Sequence, residues 1–380
     1  MGKARQSSRP QEMGEEVRNL YVHFPFCRRK CTYCALFSRA GISSGDRAKY
    51  VNEIASAIQT LFGDTPPLST IYFGGGSPAL CDLFPILDVL SAKIDAKTEF
   101  SVELHPLDVT HENLKSLKRG GVNRISMGLQ SLNDDILKHM GRGYTFAEAE
   151  KSFLLIKEYF TNAGIDLIIG YPDDTWGHSP HLNRIASWGL THCSAYSLIL
   201  EENSALHRLG TLPPQDEDLM DSLASASRFI EEIGLRRYEI SNYAIPGFEC
   251  RHNLATWRGE DYYGLGIGAY GRIGLKRTRN WWGESRGHSP DWWWGESRGH
   301  SPDWWGQPPE EEMVSEEFDF KERRLFALRT IEGLDASERP EWIKILDKFT
   351  AEGLLTKKNS RYILTSRGRE VCDSILAELI

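Results

Sequence analysis

The sequence predicts an α/β protein, an open partial (β/α)6 barrel followed by a small winged-helix-like domain. Three observations predict it. Short β-branched or aromatic runs recur six times between residues 20 and 200, segments of helical spacing separate them, and the last 60 residues switch to a helix, helix, hairpin pattern.

The six runs are LYVHFPF (20–26), TIYFGG (70–75), EFSVELH (99–105), RISMGLQ (124–130), GIDLIIGYP (164–172) and HCSAYSLIL (192–200). Strands that alternate with helices imply a parallel sheet, and the near-continuous apolar reading of LIIGY or YSLIL suits strands covered on both faces. Two further units would close an eight-stranded barrel, but the pattern changes near residue 205. A doubly wound open sheet shares this periodicity and stands as the alternative. In both arrangements functional groups belong just beyond the carboxyl ends of the strands.

Around this centre, residues 1–18 are polar, aperiodic and rich in Gly, Pro and Ser, as expected of a flexible arm in which Met13 is an alternative start. The barrel occupies 19–212, and a helix (213–234) with a Tyr- and Gly-rich strand-and-loop region fills 213–280. The segment WWGESRGHSPDW at 281–292 is repeated without change at 293–304, which places seven of the eleven tryptophans between Trp281 and Trp305. Such a Trp-rich loop, 281–317, reads either as an aromatic platform for a flat ligand or as a tandem duplication tolerated at the surface. The final domain, 318–380, contains KERRLFALRTI, PEWIKILDKFTAEG, the hairpin LLTKKNSRYILT and a closing helix SRGREVCDSILAELI. From Lys321 onward it carries 12 basic and 10 acidic side chains, so it reads as a packing or partner module and not as a DNA-binding one.

Composition narrows the function. With 380 residues, 40% hydrophobic and 26% charged, the chain is globular, and 45 basic against 53 acidic side chains give a net charge of −8. That balance argues against nucleic acid as the main partner. No apolar run reaches the roughly 18–20 residues of a membrane span, and the opening residues lack the apolar middle of a signal peptide, so a cytoplasmic protein is expected. Seven cysteines, an odd number, are not a disulfide framework; Cys81, Cys193, Cys250 and Cys372 are scattered, whereas Cys27, Cys31 and Cys34 fall within eight residues.

The chemistry is sought in that cluster. FCRRKCTYC spaces its cysteines C-x-x-x-C-x-x-C directly after the first strand. Three thiolates on one short loop can wrap a compact four-iron centre and leave one iron without a protein ligand, open to a substrate or cofactor. Arg28, Arg29 and Lys30 are expected to favour the thiolates. A structural zinc on the three cysteines plus His23, or no metal at all, remains open at this level. Gly266, Gly268 and Gly271 fit G-x-G-x-x-G but do not lie between a clear strand and helix, so they are not read as a dinucleotide site.

The loop and the motifs that follow it resemble the radical S-adenosylmethionine (SAM) superfamily over residues 20–380. The details are similar to the branch of oxygen-independent coproporphyrinogen oxidases and HemW heme chaperones. The resemblance implies a [4Fe-4S] cluster on Cys27, Cys31 and Cys34 whose open iron takes the amino and carboxylate groups of SAM and whose electron cleaves the sulfonium. It implies that Tyr21 and Tyr33 lie near the cluster and SAM, and that Gly74, Gly75, Gly76 and Ser77 of GGGSP lie along the methionine part. It also implies that Glu103, Gln130, Arg142 and Asp166 contact SAM. His105 departs from the family pattern, which has Asn there.

Within the branch, the oxidases carry a further cysteine two residues after the third, where this chain has Leu36, and a longer segment before the cluster than the 26 residues here. Both departures point to the HemW side. The stretch ending RHNLATW resembles its H-N-x-x-Y-W motif, with His252 and Asn253 in register and Thr256 in place of Tyr; Tyr270 stands where the family has His. His252 is the candidate heme ligand, or else a histidine hydrogen-bonded within its loop. The implied function is heme binding and delivery to an apoprotein, with a reductant such as flavodoxin or ferredoxin. The rivals are an enzyme acting on a porphyrinogen or porphyrin and a metal-stabilised binding module without SAM chemistry.

Overall fold

The computed structural model describes residues 17–174, 176–202, 204–280 and 310–379. Most of the expected N-terminal arm and the whole tandem repeat lie outside these residues.

The first unit is β1 (Asn19–Phe24), a short strand Phe26–Cys27 paired with Arg39–Ala40, and α1 (Ser44–Phe62). The chain continues through β2 (Thr70–Gly75), α2 (Phe84–Leu90), β3 (Glu99–Leu104), α3 (His111–Arg119), β4 (Arg124–Gln130), α4 (Asp134–His139) and α5 (Phe146–Tyr159). It completes the sixth unit with β5 (Asn162–Ile169), α6 (Leu182–Ala186), β6 (His192–Ser197), α7 (Ala205–Arg208) and α8 (Asp216–Glu232). Helix starts follow local chemistry. The Ser43 hydroxyl accepts from the Asp46 amide ahead of α1, and Thr145 and Glu148 form a reciprocal capping box ahead of α5.

β1 to β6 are parallel and lie side by side in chain order. A doubly wound sheet reverses its order at a switch point, and this one does not. Right-handed crossovers that always step in one direction put every helix on one face, which is the winding of a partial barrel. Three further strands extend the sheet, one of them the two-residue Arg236–Arg237 at its outer edge. β7 (Asn242–Ala244) adds antiparallel to β6, and after α9 (Arg251–Trp257) the three-residue β8 (Tyr263–Leu265) adds parallel to the free edge of β1. Region 213–280 thus contributes to both edges of the sheet.

The structure corrects the expectation of strands apolar on both faces. Leu20, Val22 and Phe24, Ile71 and Phe73, Phe100, Val102 and Leu104, and Ile125, Met127 and Leu129 pack into one core with Tyr50, Ile54 and Ile58 of α1, Leu87 and Leu90 of α2, and Phe153 and Ile156 of α5. Each such side chain contributes about 1.5–3 kcal/mol by leaving water. The alternate positions, Tyr21, Tyr72, Glu103, Arg124, Ser126, Asp166, His192 and Ser194, belong by strand period to the other, concave face. That face is polar because it lines the barrel's interior.

The C-terminal part has its own core around Leu328, Leu334, Trp342, Leu346, Leu355, Tyr362 and Ile375. α10 (Glu316–Phe326) begins five residues earlier than the apolar spacing predicts, capped by the Ser315 hydroxyl. α11 (Pro340–Ala351) precedes a hairpin, Leu355–Lys358 with Arg361–Leu364, joined by Leu334–Asp335 into a three-stranded sheet. The expected single closing helix is two, Ser366–Glu370 and Cys372–Ala377, broken at Val371 (φ −116°, ψ 23°). Asp319 binds Arg272, Arg277 and Arg323 and so ties α10 to the hairpin strands Tyr270–Ile273 and Lys276–Arg279.

Candidate functional site

The site is assembled where β1 to β6 end. The cysteine loop is closed at its base by the Phe26–Cys27 and Arg39–Ala40 pairing and strapped by Lys30, whose ammonium donates to the Leu36 carbonyl (2.5 Å) and to the Ser38 hydroxyl (3.0 Å). All three cysteines are half-buried free thiols. Burial pushes Cys27 up to about 11, against the Ser38 hydrogen bond and Lys30, and burial raises Cys34 against Lys30. Lys30 favours the thiolates of Cys27 and Cys34, as expected, but burial outweighs it. Arg28 is directed away to Asp108 (2.5 Å). A metal centre bound at the three cysteines would displace the thiol protons.

GGGSP continues β2 into this loop. A methyl group at Gly76 would lie 2.4 Å from the Phe26 carbonyl oxygen and 2.9 Å from the Cys27 sulfur, and one at Gly75 (φ +102°) would lie 2.5 Å from the His23 ring. Both positions thus need glycine before any ligand is considered. Gly74 faces the Glu103 carboxylate, and the Ser77 hydroxyl donates to Asp108.

Glu103, at the carboxyl end of β3, accepts from the Tyr72 hydroxyl (2.9 Å) and the Gly75 amide (3.2 Å). Burial and then Asp166 raise its pKa to about 7. Asp166 in turn accepts from the Ser126 hydroxyl (2.8 Å). Gln130 ends β4 in the left-handed region (φ +72°), where a bulge shifts the register between Gly128 and Gln130. Arg142 is buried; it donates to the Gly128 carbonyl (2.8 Å) and the Tyr144 hydroxyl (2.9 Å), and its Nη1 reaches the Tyr33 hydroxyl (3.3 Å) and the Cys31 sulfur (3.5 Å).

The structure therefore gathers the cysteine loop, Tyr33, Gly74 to Ser77, Glu103, Gln130, Arg142 and Asp166 at one end of the sheet. Tyr21 lies one step deeper, stacked on Tyr72 (6.0 Å) and sharing a hydrogen bond with His23 Nδ1 (3.0 Å). Tyr72, Ser126, Tyr144 and Asp108 escaped sequence reasoning because nothing in their own segments marks them; only the register does.

Two alternatives change standing. His23 has both ring nitrogens engaged, one by Tyr21 and the other by the Phe37 carbonyl (2.8 Å), so it is not available as a fourth zinc ligand. His252 lies below this site, in contact with Tyr72 and Tyr21. It is buried toward the amino ends of the strands, its Nδ1 hydrogen-bonded to Thr70 at the start of β2 (2.8 Å) and its ring packed on Tyr72 (5.3 Å), while its amide caps onto Glu99 (3.1 Å). Burial and Arg124 lower its pKa to about 4. It bonds to a strand and not within its own loop.

His105, the departure from the family pattern, accepts from the Leu107 amide (3.2 Å) and meets Tyr144 edge-on (5.2 Å). Gly266 and Gly268 pack against Tyr50, His23 and Phe37, between two strands and ahead of no helix, in line with rejecting a dinucleotide site.

The donor set suits an under-ligated iron–sulfur cluster: three thiols on one loop, a neighbouring His23 already engaged at both ring nitrogens, a glycine floor against one sulfur and a guanidinium beside another.

Comparisons with known proteins agree. The Radical SAM superfamily model matches residues 21–184. The heme chaperone HemW of Bacillus subtilis (strain 168) is 36% identical over 279 residues, covering 70% of this chain and 73% of that protein. HemW of Mycobacterium tuberculosis is 30% identical over 389 residues, covering 95% and 94%. Among solved structures, coproporphyrinogen III oxidase (HemN) from Escherichia coli, described as a radical SAM enzyme, aligns with a TM-score of 0.75 at 19% identity, covering 96% of this chain and 90% of that one. That likeness is one of fold.

Proposed function

Because the chain belongs to the HemW and oxygen-independent coproporphyrinogen oxidase-like branch of the radical SAM superfamily, we propose that it is a heme chaperone, which binds heme and passes it to an apoprotein. In this reading Cys27, Cys31 and Cys34 hold a [4Fe-4S] cluster and the strand ends hold SAM. The bound cluster supplies the electron that cleaves the SAM sulfonium, drawn from a flavodoxin- or ferredoxin-type reductant in the cytoplasm.

This chain's own residues do the rest. Arg142 sets a fixed positive charge beside Cys31 and offsets the charge of a thiolate there. The Glu103 carboxylate, with the Gly74 to Gly76 backbone against it, offers an acceptor for an ammonium group. Asp166, Gln130 and Tyr33 complete a polar rim. Residues 19–212 carry the cofactor chemistry in this proposal, 213–280 complete the sheet, and 318–380 form a packing or partner module.

One observation carries the chaperone reading over an oxidase: Leu36, where the oxidases have a further cysteine, is a solvent-exposed apolar residue beside the cluster loop. The second reading, a porphyrinogen-oxidising enzyme, is favoured by the full-length likeness in fold to HemN. Anaerobically reconstituted protein separates them. The chaperone reading expects heme to bind and pass to an apo-acceptor, 5′-deoxyadenosine to form with dithionite and SAM, and coproporphyrinogen III to remain unchanged. Conversion to protoporphyrinogen would establish the second reading, and absence of both heme binding and SAM cleavage would leave only a metal-stabilised module.

A further inference from the structure

The C-terminal part meets the edge of the sheet across a cavity that the proposed function leaves unused. It encloses about 480 Å³ between Ala195 and Ser197 of β6, α8, the edge strand Arg236–Arg237 and the two closing helices Ser366–Glu370 and Cys372–Ala377. That is the size of a small-molecule site. Four arginines line it and come from both parts of the chain: Arg228 and Arg237 from the barrel side, Arg329 and Arg369 from the C-terminal side.

The protein matches these charges poorly. Arg237 is half-buried and fixed by neutral groups: it donates to the Glu239 (3.3 Å) and Ile240 (2.9 Å) carbonyls and lies over the Tyr243 ring (5.5 Å). Arg369 is half-buried too, and among the described residues its guanidinium has no hydrogen-bond or ion-pair partner. Burial and then Arg237 hold its pKa below the ordinary arginine value, against smaller pulls from Tyr243 and Glu231, so the two cations face each other. Of the acids that line the cavity, Asp373 is paired with Arg329 (2.5 Å), and the exposed Glu231 and Glu370 form no ion pair with Arg237 or Arg369. Arg329 keeps a buried Nε without a partner. Holding like cations partly out of water with no counter-ion is costly.

The lining also says which counter-ion fits. Guanidinium forks take phosphate oxygens two at a time, and Ser197, Ser241 and Ser366 bring hydroxyl donors to the same walls. One carboxylate would neutralise only one of the facing arginines, whereas a phosphoryl group carries close to two charges at pH 7. We propose that this cavity is a binding site for a small phosphate-bearing anion, held by Arg237 from the edge of the sheet and Arg369 from the C-terminal part, with the exposed Arg228 beside them. Its two principal ligands lie in different parts of the chain, so the anion fastens residues 318–380 to the sheet edge. The cavity shares no residue with the candidate site above, and the proposal does not depend on the heme reading.

The test is calorimetric titration of the full chain with inorganic phosphate and with adenosine 5′-monophosphate at constant ionic strength, alongside thermal melts in phosphate and in chloride. The wild type is expected to bind phosphate and to melt higher in phosphate than in chloride. Arg237→Gln and Arg369→Gln are each expected to weaken binding roughly tenfold or more and to remove that difference in melting. Arg119→Gln on α3, an exposed arginine outside the cavity, is the control and changes neither. In chloride alone Arg369→Gln should melt no lower than the wild type, because it relieves the facing charges; a lower melt there would make Arg369 a structural residue and overturn the proposal. Inorganic phosphate binding at least as tightly as the nucleotide assigns the site to free phosphate, and tighter binding of the nucleotide assigns it to a phosphate ester. A wild type that responds to neither probe beyond chloride, or glutamine variants that bind as the wild type does, overturns the assignment.

Discussion

The Arg142 guanidinium lies 3.5 Å from the Cys31 sulfur, held there by the Gly128 carbonyl and the Tyr144 hydroxyl. One buried cation thus couples the end of β4 to the cluster loop. Arg142→Met removes these bonds and leaves a hole lined with polar atoms, so urea unfolding of the metal-free protein is expected to lose about 2–4 kcal/mol. Iron retained per chain after reconstitution should fall as well. Arg142→Lys, which keeps the charge and loses the fork, should recover part of the iron and little of the stability. Wild-type values in the Met variant would show that Arg142 holds nothing.

Gly76 makes a sharper case. An alanine there would press on the Phe26 and Phe24 carbonyls and on the Cys27 sulfur at once, and two of these are backbone atoms that cannot swing aside. We expect Gly76→Ala to cost about 1–3 kcal/mol and to prevent cluster incorporation, read from the charge-transfer absorption of the reconstituted protein. Gly45→Ala in the first turn of α1, where the nearest neighbour is 3.8 Å away, should be neutral or stabilising by up to about 1 kcal/mol.

Acid sensitivity follows from buried imidazoles. Burial, with help from nearby cations, lowers His252 to about 4 and His105 to about 3, and it also lowers His23 and His192. Each of these contributions is complete above the ordinary value of 6.5 and is lost as pH falls toward the lowered one. Glu103 runs the other way. Raised from 4.5 to about 7, it contributes fully below 4.5 and loses that contribution as pH climbs through 7. Glu239, Asp174 and Glu53, also raised by burial, act in the same sense as Glu103. The acid loss between pH 6.5 and 4 is therefore assigned to the imidazoles by its disappearance when His252 and His105 are replaced by Gln. Glu103→Gln should gain stability at pH 8, on the order of 2–3 kcal/mol, with the gain vanishing near pH 4.5. A pH-independent gain would contradict the assignment.

Asp319 bridges three arginines, two of them on the strands that follow β8. Asp319→Asn leaves those cations crowded and partly buried, and it should cost about 2–4 kcal/mol. The loss should be accompanied by faster hydrogen exchange in the strands Tyr270–Ile273 and Lys276–Arg279. Exchange unchanged in those strands would mean that the ion pairs do not join the two parts.

Much of this was written locally. The six strands, the cysteine loop and the glycine turn lie in short contiguous runs whose period or spacing gives them away. The polar interior was not legible, because Tyr72, Gly74, Gly164 and Tyr196 occupy inward positions and read as part of apolar runs. Nor was β8, three residues long in a glycine-rich stretch and paired with a strand more than two hundred positions away. His252 shows the cost of that distance. Its motif was in register, yet its partners Thr70, Glu99 and Tyr72 come from strands that only the folded sheet brings to it.

The pairing of β1 with both β2 and β8 also constrains how the protein is made. Ribosomes extend a chain by about 5–20 residues per second, amino end first. The strand that leads into Cys27 therefore emerges early but keeps an unpaired edge until residue 265 has been added. A cluster built on this loop before residue 265 has been added would meet a sheet still open along that edge.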